Sequence, residues 1–336
     1  MEDVFLGYES ALEFWNAPVM DEASRRPGAC ANGEIAEVYA HAVAPMTSRS
    51  NREYVRSTLT TCEFGLLKPP IHILVPRREG RRRSSLFSAH LWGSALPEPA
   101  FVRVCPGTYA STPAFLFLQM ATELSLARLA LLGYRLCGTY AEDGRAKHGL
   151  RSRNALMSTR EVVRRLESLR GLRGIKRARE ALGFVLDGAA SPMEAAVALL
   201  LSMPLKVGGY GLPQPMLNCR IDLPGELRGA VAQDCYVCDL LWPKHRVAVE
   251  YDSDMFHTGS RRIAHDSERR NALAYLGITV VTVTRRQAMS LPAMDRVAAQ
   301  LRGLLGVSGP DETAELYRQR LALRAELLPA GSAARA

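Results

Sequence analysis

Three carboxylates and a histidine lie close together between residues 239 and 257, where the sequence reads DLLWPKHRVAVEYDSDMFH. The stretch RVAVEYD alternates as a β-strand does, so Glu250 and Asp252 are predicted to project from the same face. If a hairpin turns near residues 244 and 245, Asp239 lies roughly opposite Glu250, with Cβ atoms about 5 Å apart. Carboxylates this close repel one another unless a cation neutralises them, and a hard divalent ion is the usual one.

These residues also have a simpler interpretation. An isolated Glu-x-Asp is common on solvated strands, and Asp239 could be an ordinary turn residue. The surrounding sequence argues against this, because Val247, Val249 and the β-branched run 278–284 (ITVVTVT) are typical of interior strands of a covered sheet. Unpaired acids are costly in such a sheet, so we interpret the acidic cluster as a functional site.

The elements that must position this cluster can be predicted from local patterns. Ser191 and Pro192 are suited to the N-cap and first position of an apolar helix, and Glu194 either completes a capping box or takes part in catalysis. Further elements are expected in the following ranges: strand 216–221, a partner strand around 237–239, strand 246–252, helix 261–276 ended by Gly277, and strand 278–284. The predicted order is helix, three strands, helix, strand.

This part of the chain resembles a known group of enzymes. Asp239, a Glu-x-Asp eleven residues later and a histidine five residues after that are followed by a basic helix (RRIAHDSERRNALAYLG) and a strand. The order is similar to very-short-patch-repair-like endonuclease domains of the PD-(D/E)xK superfamily, and the resemblance covers roughly residues 188–306. It implies a restriction-endonuclease-like core that acts on DNA with Mg²⁺ or Mn²⁺, held by Asp239 and Glu250.

The lysine of the superfamily is replaced here by Asp252, which the resembling subgroup usually carries. A cation that would stabilise charge on the phosphate is therefore missing, and His257 is the best substitute because imidazole can act as a base or donate to phosphate. Lys244, in the hairpin turn, is a weaker candidate. Asp266 could orient His257, or it could form an i,i+4 pair with Arg270 on a helix surface. The basic helix adds two candidate DNA contacts, Arg261 and Arg262.

The charge of the chain is consistent with a polyanionic partner. The 336 residues carry a net charge of +9, unevenly distributed. A basic segment, residues 151–186, contains four candidate phosphate contacts: Arg164, Arg165, Arg173 and Arg177. A second cluster of arginines lies between Arg77 and Arg83. Both segments could instead be solvated surfaces without a partner.

Cysteine usage and hydropathy indicate where the protein works. Seven cysteines without a recognisable signal peptide predict reduced thiols in the cytoplasm. The longest apolar run is interrupted by Gln119, Glu123 and Arg128, so we expect no membrane association.

We expect a mixed α/β protein in which a smaller α+β domain precedes the nuclease-like domain. The predicted divisions are an N-terminal domain at 1–150, a basic helical connector at 151–187, the endonuclease-like domain at 188–306 and a C-terminal helix and tail at 307–336. The N-terminal domain faintly resembles the middle region of AbiEi-type antitoxins and regulators.

Two functions follow from these resemblances. The first is a divalent-metal-dependent DNA endonuclease in bacterial defence, repair or a mobile element. The second is a non-catalytic DNA-binding regulator that keeps a nuclease fold and pairs with a toxin or another defence protein, since fold does not fix function. Action on RNA is a third option, and the sequence leaves the oligomeric state open.

Overall fold

The protein is described by a computed structural model that covers residues 3–17, 37–42, 67–80, 85–144, 146, 148–167, 169–225, 233–252 and 260–328. The chain divides into two compact units, the first formed by Met1–Leu129 with Ala141–Leu182 and the second by Ala130–Tyr140 with Gly183–Ala336. Both units combine helices with strands, so the predicted mixed α/β class is confirmed. Residues 141–182, which include most of the predicted connector, belong to the first unit.

The elements up to residue 182 form a mixed sheet with helices packed against it. In chain order they are β1 (Val4–Leu6), α1 (Tyr8–Asn16), β2 (Ile71–Val75), β3 (Phe87–Leu91), β4 (Phe101–Cys105), β5 (Thr108–Ser111), α2 (Pro113–Met120), α3 (Leu126–Cys137), β6 (Tyr140–Glu142), β7 (Leu150–Ser152), α4 (Thr159–Glu167) and α5 (Ile175–Leu182). Five strands are ordered β3-β2-β1-β5-β4, and β6 pairs with β7. β1 is central because its three residues, all apolar, are buried on both faces.

The apolar segment from Pro113 forms the helices α2 and α3, and α2 is buried along almost its whole length, which explains its uniformly apolar sequence. The expected thiol chemistry is only partly correct. Cys105 is disulfide-bonded, whereas Cys137, Cys219, Cys235 and Cys238 are free thiols.

The second unit contains the predicted order of helix, three strands, helix and strand. After α3 its elements are α6 (Pro192–Ser202), β8 (Met216–Asp222), β9 (Cys235–Trp242), β10 (Val247–Asp252), α7 (Ser260–Tyr275), β11 (Thr279–Thr284), α8 (Arg285–Met289), α9 (Leu291–Leu305) and α10 (Ala314–Leu327). The sheet order is β11-β10-β9-β8. Strand β9 is antiparallel to β8 and β10, whereas β10 and β11 run parallel because α7 supplies the crossover.

Local signals fix the ends of the helices that flank this sheet. The Ser191 side chain caps α6 by accepting a hydrogen bond from the backbone N–H of Glu194, as predicted. Gly277 ends α7 and has a φ of 70°, which a residue with a side chain rarely adopts. The prediction that strand 278–284 lies in the interior of the sheet is wrong, because β11 is an edge strand of the described sheet and Thr279 and Thr282 are exposed. The β-branched run instead buries its alternate residues on one face.

A compact apolar cluster holds α7 against the sheet. It is formed by Leu223, Tyr236, Cys238, Leu241, Ala248, Ala272 and Leu273, each at most 5% exposed. Burial of large side chains such as these contributes about 1.5–3 kcal/mol each, so the position of α7 over β9 and β10 is firmly set. This packing fixes where the polar face of α7 meets the sheet.

Candidate functional site

The hairpin of β9 and β10 places its two acidic residues side by side. Val247 pairs with Trp242 and Val249 with Leu240, so the predicted register is confirmed up to the residues that precede Glu250 and follow Asp239. The charge of Asp239 raises the pKa of Glu250, so the two carboxyl groups lie near each other. On the far side of Glu250, Thr282 of β11 is its direct neighbour. Residues paired across antiparallel strands have Cβ atoms about 5 Å apart, so the two carboxyl groups are close enough to share a ligand.

Asp239 is held by the backbone of the neighbouring strand. Its Oδ2 accepts a hydrogen bond of 2.7 Å from the N–H of Tyr251. Burial raises the pKa of Asp239 to about 6, and the nearby charge of Glu194 also raises this pKa. A carboxyl group with this pKa can gain or lose its proton close to neutral pH.

Glu250 is more strongly affected than Asp239. Burial, followed by the charge of Asp239, raises its pKa to about 7, although the charge of Arg269 acts in the opposite direction. The Glu250 side chain is 15% exposed. Its Oε1 lies 2.6 Å from Nη2 of Arg269 on α7. Arg269 also donates a hydrogen bond to the carbonyl oxygen of Val237 on β9. The guanidinium therefore connects α7 to both central strands directly at the acidic pair.

Glu194 reaches the same region from α6, where it is 8% exposed. Its Oε2 accepts hydrogen bonds from the N–H of Ala190 at 2.9 Å and from Nδ2 of Asn218 at 2.8 Å. In a capping box it would accept from the N–H of Ser191, so that part of the prediction is wrong. Because the carboxylate turns towards β8, it lies near enough to Asp239 to affect that residue's pKa.

Asn218 on β8 links these elements. It has a φ of 44°, and its Nδ2 donates to the carbonyl of Gly188 at 2.9 Å as well as to Glu194. The pairs on either side of it, Leu217 with Leu240 and Cys219 with Cys238, place Asn218 opposite Asp239. Asparagine tolerates the left-handed region better than most residues, which explains its presence at this position.

Substitution of Asn218 by Ala is expected to lower the free energy of unfolding by about 2 kcal/mol or more. The change removes the hydrogen bonds to Glu194 and Gly188, and alanine tolerates the left-handed region less well than asparagine does. Chemical denaturation of the purified protein measures this loss. Asn218→Gly removes the same hydrogen bonds without the backbone penalty, so it should be less destabilising than Asn218→Ala. Equal stability of wild type and both variants would show that this link is unimportant.

A surface pocket of about 260 Å³ opens beside the acidic pair. Its lining includes Glu250 and Asp252 on β10, Arg269 and Arg270 on α7, and Thr282 on β11. Glu250 and Asp252 thus face the same space, as their two-residue spacing predicts. With acids on one wall and guanidinium groups on the other, the pocket can accept a group that carries oxygen atoms and negative charge.

The donor set of this site suits a magnesium-like ion only in part. Among the described residues, no three His, Cys, Asp or Glu side chains are arranged to hold a metal ion. The expected convergence of Asp239, Glu250 and Asp252 on one cation is therefore not observed. Two adjacent carboxylates nevertheless fit Mg²⁺ or Mn²⁺, because Mg²⁺ is often bound by one or two carboxylates and completes its shell with water and phosphate oxygens.

The stability of the protein should depend on pH through Asp239. Its pKa is higher in the folded chain, at about 6, than the ordinary 3.8, so it favours folding at low pH and this contribution is lost as pH rises through about 6. Asp239→Asn cannot ionise and should lose less stability than wild type between about pH 4 and about pH 8, by about 2 kcal/mol. Denaturant titrations across this range measure the difference. Parallel pH profiles of the two proteins would contradict the raised pKa.

Of the remaining residues predicted for this site, the structure describes the side chain of Lys244 alone. Lys244 lies exposed in the turn, beyond the pair Val247–Trp242, which is itself about 10 Å along the strands from Asp239 and Glu250. His257 lies outside the described residues. Asp266, Arg261 and Arg262 belong to α7, but the structure describes its side chains only from residue 267 onward.

The predicted phosphate contacts Arg164, Arg165, Arg173 and Arg177 lie in the first unit, on α4 and around the start of α5. Arg164 and Arg173 are exposed. Arg177 donates to the carbonyl oxygens of Ala121 and Leu124 at 3.3 and 3.0 Å, and Arg165 donates to that of Glu98 at 3.4 Å. Arg177 and Arg165 thus have structural roles, while the other two face solvent.

Sequence reasoning did not identify Arg269 and Asn218 as site residues. Arg269 was one of several charges in the basic helix, and helical periodicity could have shown that it shares the face of Ala272 and Leu273 at i+3 and i+4. Asn218 carried no comparable signal, because its role depends on Glu194 and Gly188, which lie 24 and 30 residues earlier in the chain.

Fold and site together define a mixed α/β protein with a paired-carboxylate site on a four-stranded sheet. No protein-family model matches the sequence, and no solved structure matches it. The chain is similar to uncharacterized proteins from two strains of Mycobacterium tuberculosis, with 29% identity over 196 residues. The matched segment is 58% of this chain and 61% of each relative, so the chain spans about three-fifths of the length of these relatives. Within the described residues, no helix combines the length and apolar character needed to cross a bilayer.

Proposed function

We propose that the second unit is a divalent-metal-dependent endonuclease that hydrolyses phosphodiester bonds in DNA, on a restriction-endonuclease-like core. The observation that carries the proposal is the proximity of Asp239 and Glu250, which flank the pair Leu240–Val249 on the two central strands and whose pKa values burial raises towards neutrality. Two carboxylates held together in this way are unfavourable by themselves and become favourable when a cation binds. The order of elements and the Glu-x-Asp spacing support the same proposal through the resemblance to very-short-patch-repair-like domains.

In this proposal Asp239 and Glu250 hold Mg²⁺ or Mn²⁺, which would polarise the scissile phosphate and lower the pKa of a bound water. The Tyr251 N–H orients the Asp239 carboxylate by donating a hydrogen bond to its Oδ2, so Oδ1 of Asp239 would be the oxygen that binds the ion. Asp252 lines the pocket beside Glu250 and would position the water that attacks phosphorus. Glu194, fixed by Asn218, keeps negative charge near Asp239 and so favours cation binding.

The positive charge that the superfamily obtains from its lysine must come from another residue. Arg269 is the described cation nearest to Glu250, and its planar guanidinium can donate to two phosphate oxygens at once. Arg269 is therefore the leading candidate for this role among the residues that the structure describes, and the role expected of His257 stays a prediction. The net charge of +9 would attract the DNA backbone to the protein as a whole.

Incubation of purified protein with supercoiled plasmid, single-stranded DNA and RNA tests the proposal. With Mg²⁺ or Mn²⁺ we expect nicking or linearisation of DNA, and with EDTA we expect none. Absence of DNA cleavage with every divalent ion, together with clear DNA binding, would favour a regulator. Cleavage of RNA alone would reassign the substrate.

The alternative, a non-catalytic DNA-binding regulator, is favoured by one observation. Arg269 neutralises Glu250 within the protein, so the acidic pair is partly satisfied without a metal ion. An antitoxin-like protein of this kind would bind DNA through its basic surfaces and would be expected to act with a toxin or another defence protein. Co-purification with the product of an adjacent gene, combined with the absence of cleavage, would support it.

A further inference from the structure

Arg269 forms an ion pair with Glu250, one of the two carboxylates to which the proposed function assigns the ion. Its Nη2 lies 2.6 Å from Oε1 of Glu250, and the same nitrogen donates to the carbonyl oxygen of Val237. Both contacts are made by a side chain that is only 27% exposed, and Glu250 is less exposed still. Water screens a partly buried pair of this kind less than it screens surface pairs.

We propose that Arg269 is a built-in competitor of the divalent ion: in the described conformation it occupies the coordinating position at Glu250, and an ion must displace it to bind. The inference rests on the proposed function, because it assigns a resting state to the same site. Arg269 is thus a positioning residue that offsets part of the charge of the acidic pair until an ion binds. The guanidinium released from Glu250 would then be available to the phosphate.

The charges around Glu250 support this assignment. Asp239 repels an ionised Glu250, whereas the guanidinium of Arg269, 2.6 Å from Oε1, attracts it. An ion that binds both carboxylates would remove the repulsion between them, but it would meet the positive charge of Arg269 at close range. Both cations therefore cannot remain in contact with the same Glu250 oxygen, because the repulsion between them is strong in a poorly solvated site.

The pocket has space for the displaced side chain. It is about 260 Å³ in volume and is lined by Glu250, Asp252 and Arg269 itself. Rotation of Arg269 away from Glu250 directs its guanidinium into this pocket, where Asp252 offers an alternative carboxylate. α7 need not move, because Ala272 and Leu273 hold the helix on the sheet independently of Arg269.

Titration of the full-length protein with Mn²⁺, followed by electron paramagnetic resonance of the free ion, tests this competition without any measurement of cleavage. Arg269→Gln should bind Mn²⁺ at least about tenfold more tightly than wild type, since a charge-assisted pair no longer has to be broken. Arg269→Lys keeps the charge and should resemble wild type. Arg286→Gln, an exposed change of the same charge on α8, should also resemble wild type.

Thermal unfolding gives a second measurement. Loss of Arg269 leaves Glu250 partly buried without its partner, so Arg269→Gln should be less stable than wild type and should recover more stability on addition of Mn²⁺. If this variant does not fold, the arginine side-chain signals of isotopically labelled wild type replace it. The signal that is absent from Arg269→Lys should shift when saturating Mg²⁺ is added.

The outcomes separate this inference from the proposed function. Equal Mn²⁺ affinity of wild type, Arg269→Gln and Arg286→Gln, or an Arg269 signal that Mg²⁺ leaves unchanged, would overturn the competition. If wild type still cleaves DNA in that case, the nuclease proposal stands alone. Absence of Mn²⁺ binding in every variant would overturn the inference and remove the metal from the proposed function too. Tighter binding in Arg269→Gln, combined with no DNA cleavage by wild type, would support the competition and contradict the nuclease.

Discussion

Substitution of Asp239 by Asn or of Glu250 by Gln is expected to reduce Mg²⁺-dependent DNA cleavage more than about 100-fold. Each change keeps the size of the side chain but removes the charge on one of the two carboxylates that would hold the ion. Metal ions contribute several kcal/mol to transition-state stabilisation in such reactions, and each 1.4 kcal/mol corresponds to about a factor of ten in rate. Single-turnover assays with a saturating excess of enzyme over plasmid measure the chemical step.

DNA binding should be retained or strengthened in both variants, because loss of an acidic group reduces repulsion from phosphate. Glu268→Gln is a matched control, since it removes an exposed carboxylate from α7, next in sequence to Arg269. This control should cleave at nearly the wild-type rate. Full activity in Asp239→Asn would place catalysis elsewhere in the chain, and loss of DNA binding together with cleavage would indicate a folding defect instead.

Replacement of Arg164 and Arg173 by Gln is expected to reduce the salt dependence of DNA binding by about one unit of log-log slope for each phosphate contact that is lost. Arg164 lies in α4 and Arg173 just before α5, and both side chains are exposed and so accessible to DNA. Affinity should fall to a similar degree for unrelated DNA sequences, because phosphates carry no sequence information. Fluorescence anisotropy over a range of salt concentrations gives the slope.

Arg177 provides an informative comparison for this pair. Since it donates to two backbone carbonyls, Arg177→Gln should lower stability and change the slope less than the double variant does. An unchanged slope in the double variant would show that Arg164 and Arg173 are merely solvated. Arg77 and Arg78, the described part of the second arginine cluster, would then be the next candidates for substitution.

Local sequence patterns were sufficient for much of the second unit. Two-residue alternation marked β10, Ser191 and Gly277 marked the ends of two helices, and the position of the turn fixed Asp239 opposite Glu250. These features depend on residues close together in the chain, where backbone geometry and side-chain period act directly. The acidic pair could therefore be recognised from the sequence alone.

Only the tertiary structure showed what surrounds that pair. Arg269 meets Val237 across 32 residues of sequence, and Asn218 meets Glu194 across 24. These contacts depend on how α6 and α7 pack against the sheet and on the left-handed backbone of Asn218. The edge position of β11 could not be predicted from the sequence, because a β-branched strand has the same sequence pattern whether it pairs with one neighbouring strand or with two. Sequence periodicity indicates which face of a helix or strand is buried, but the residues that contact this face depend on how all the elements of the unit pack together.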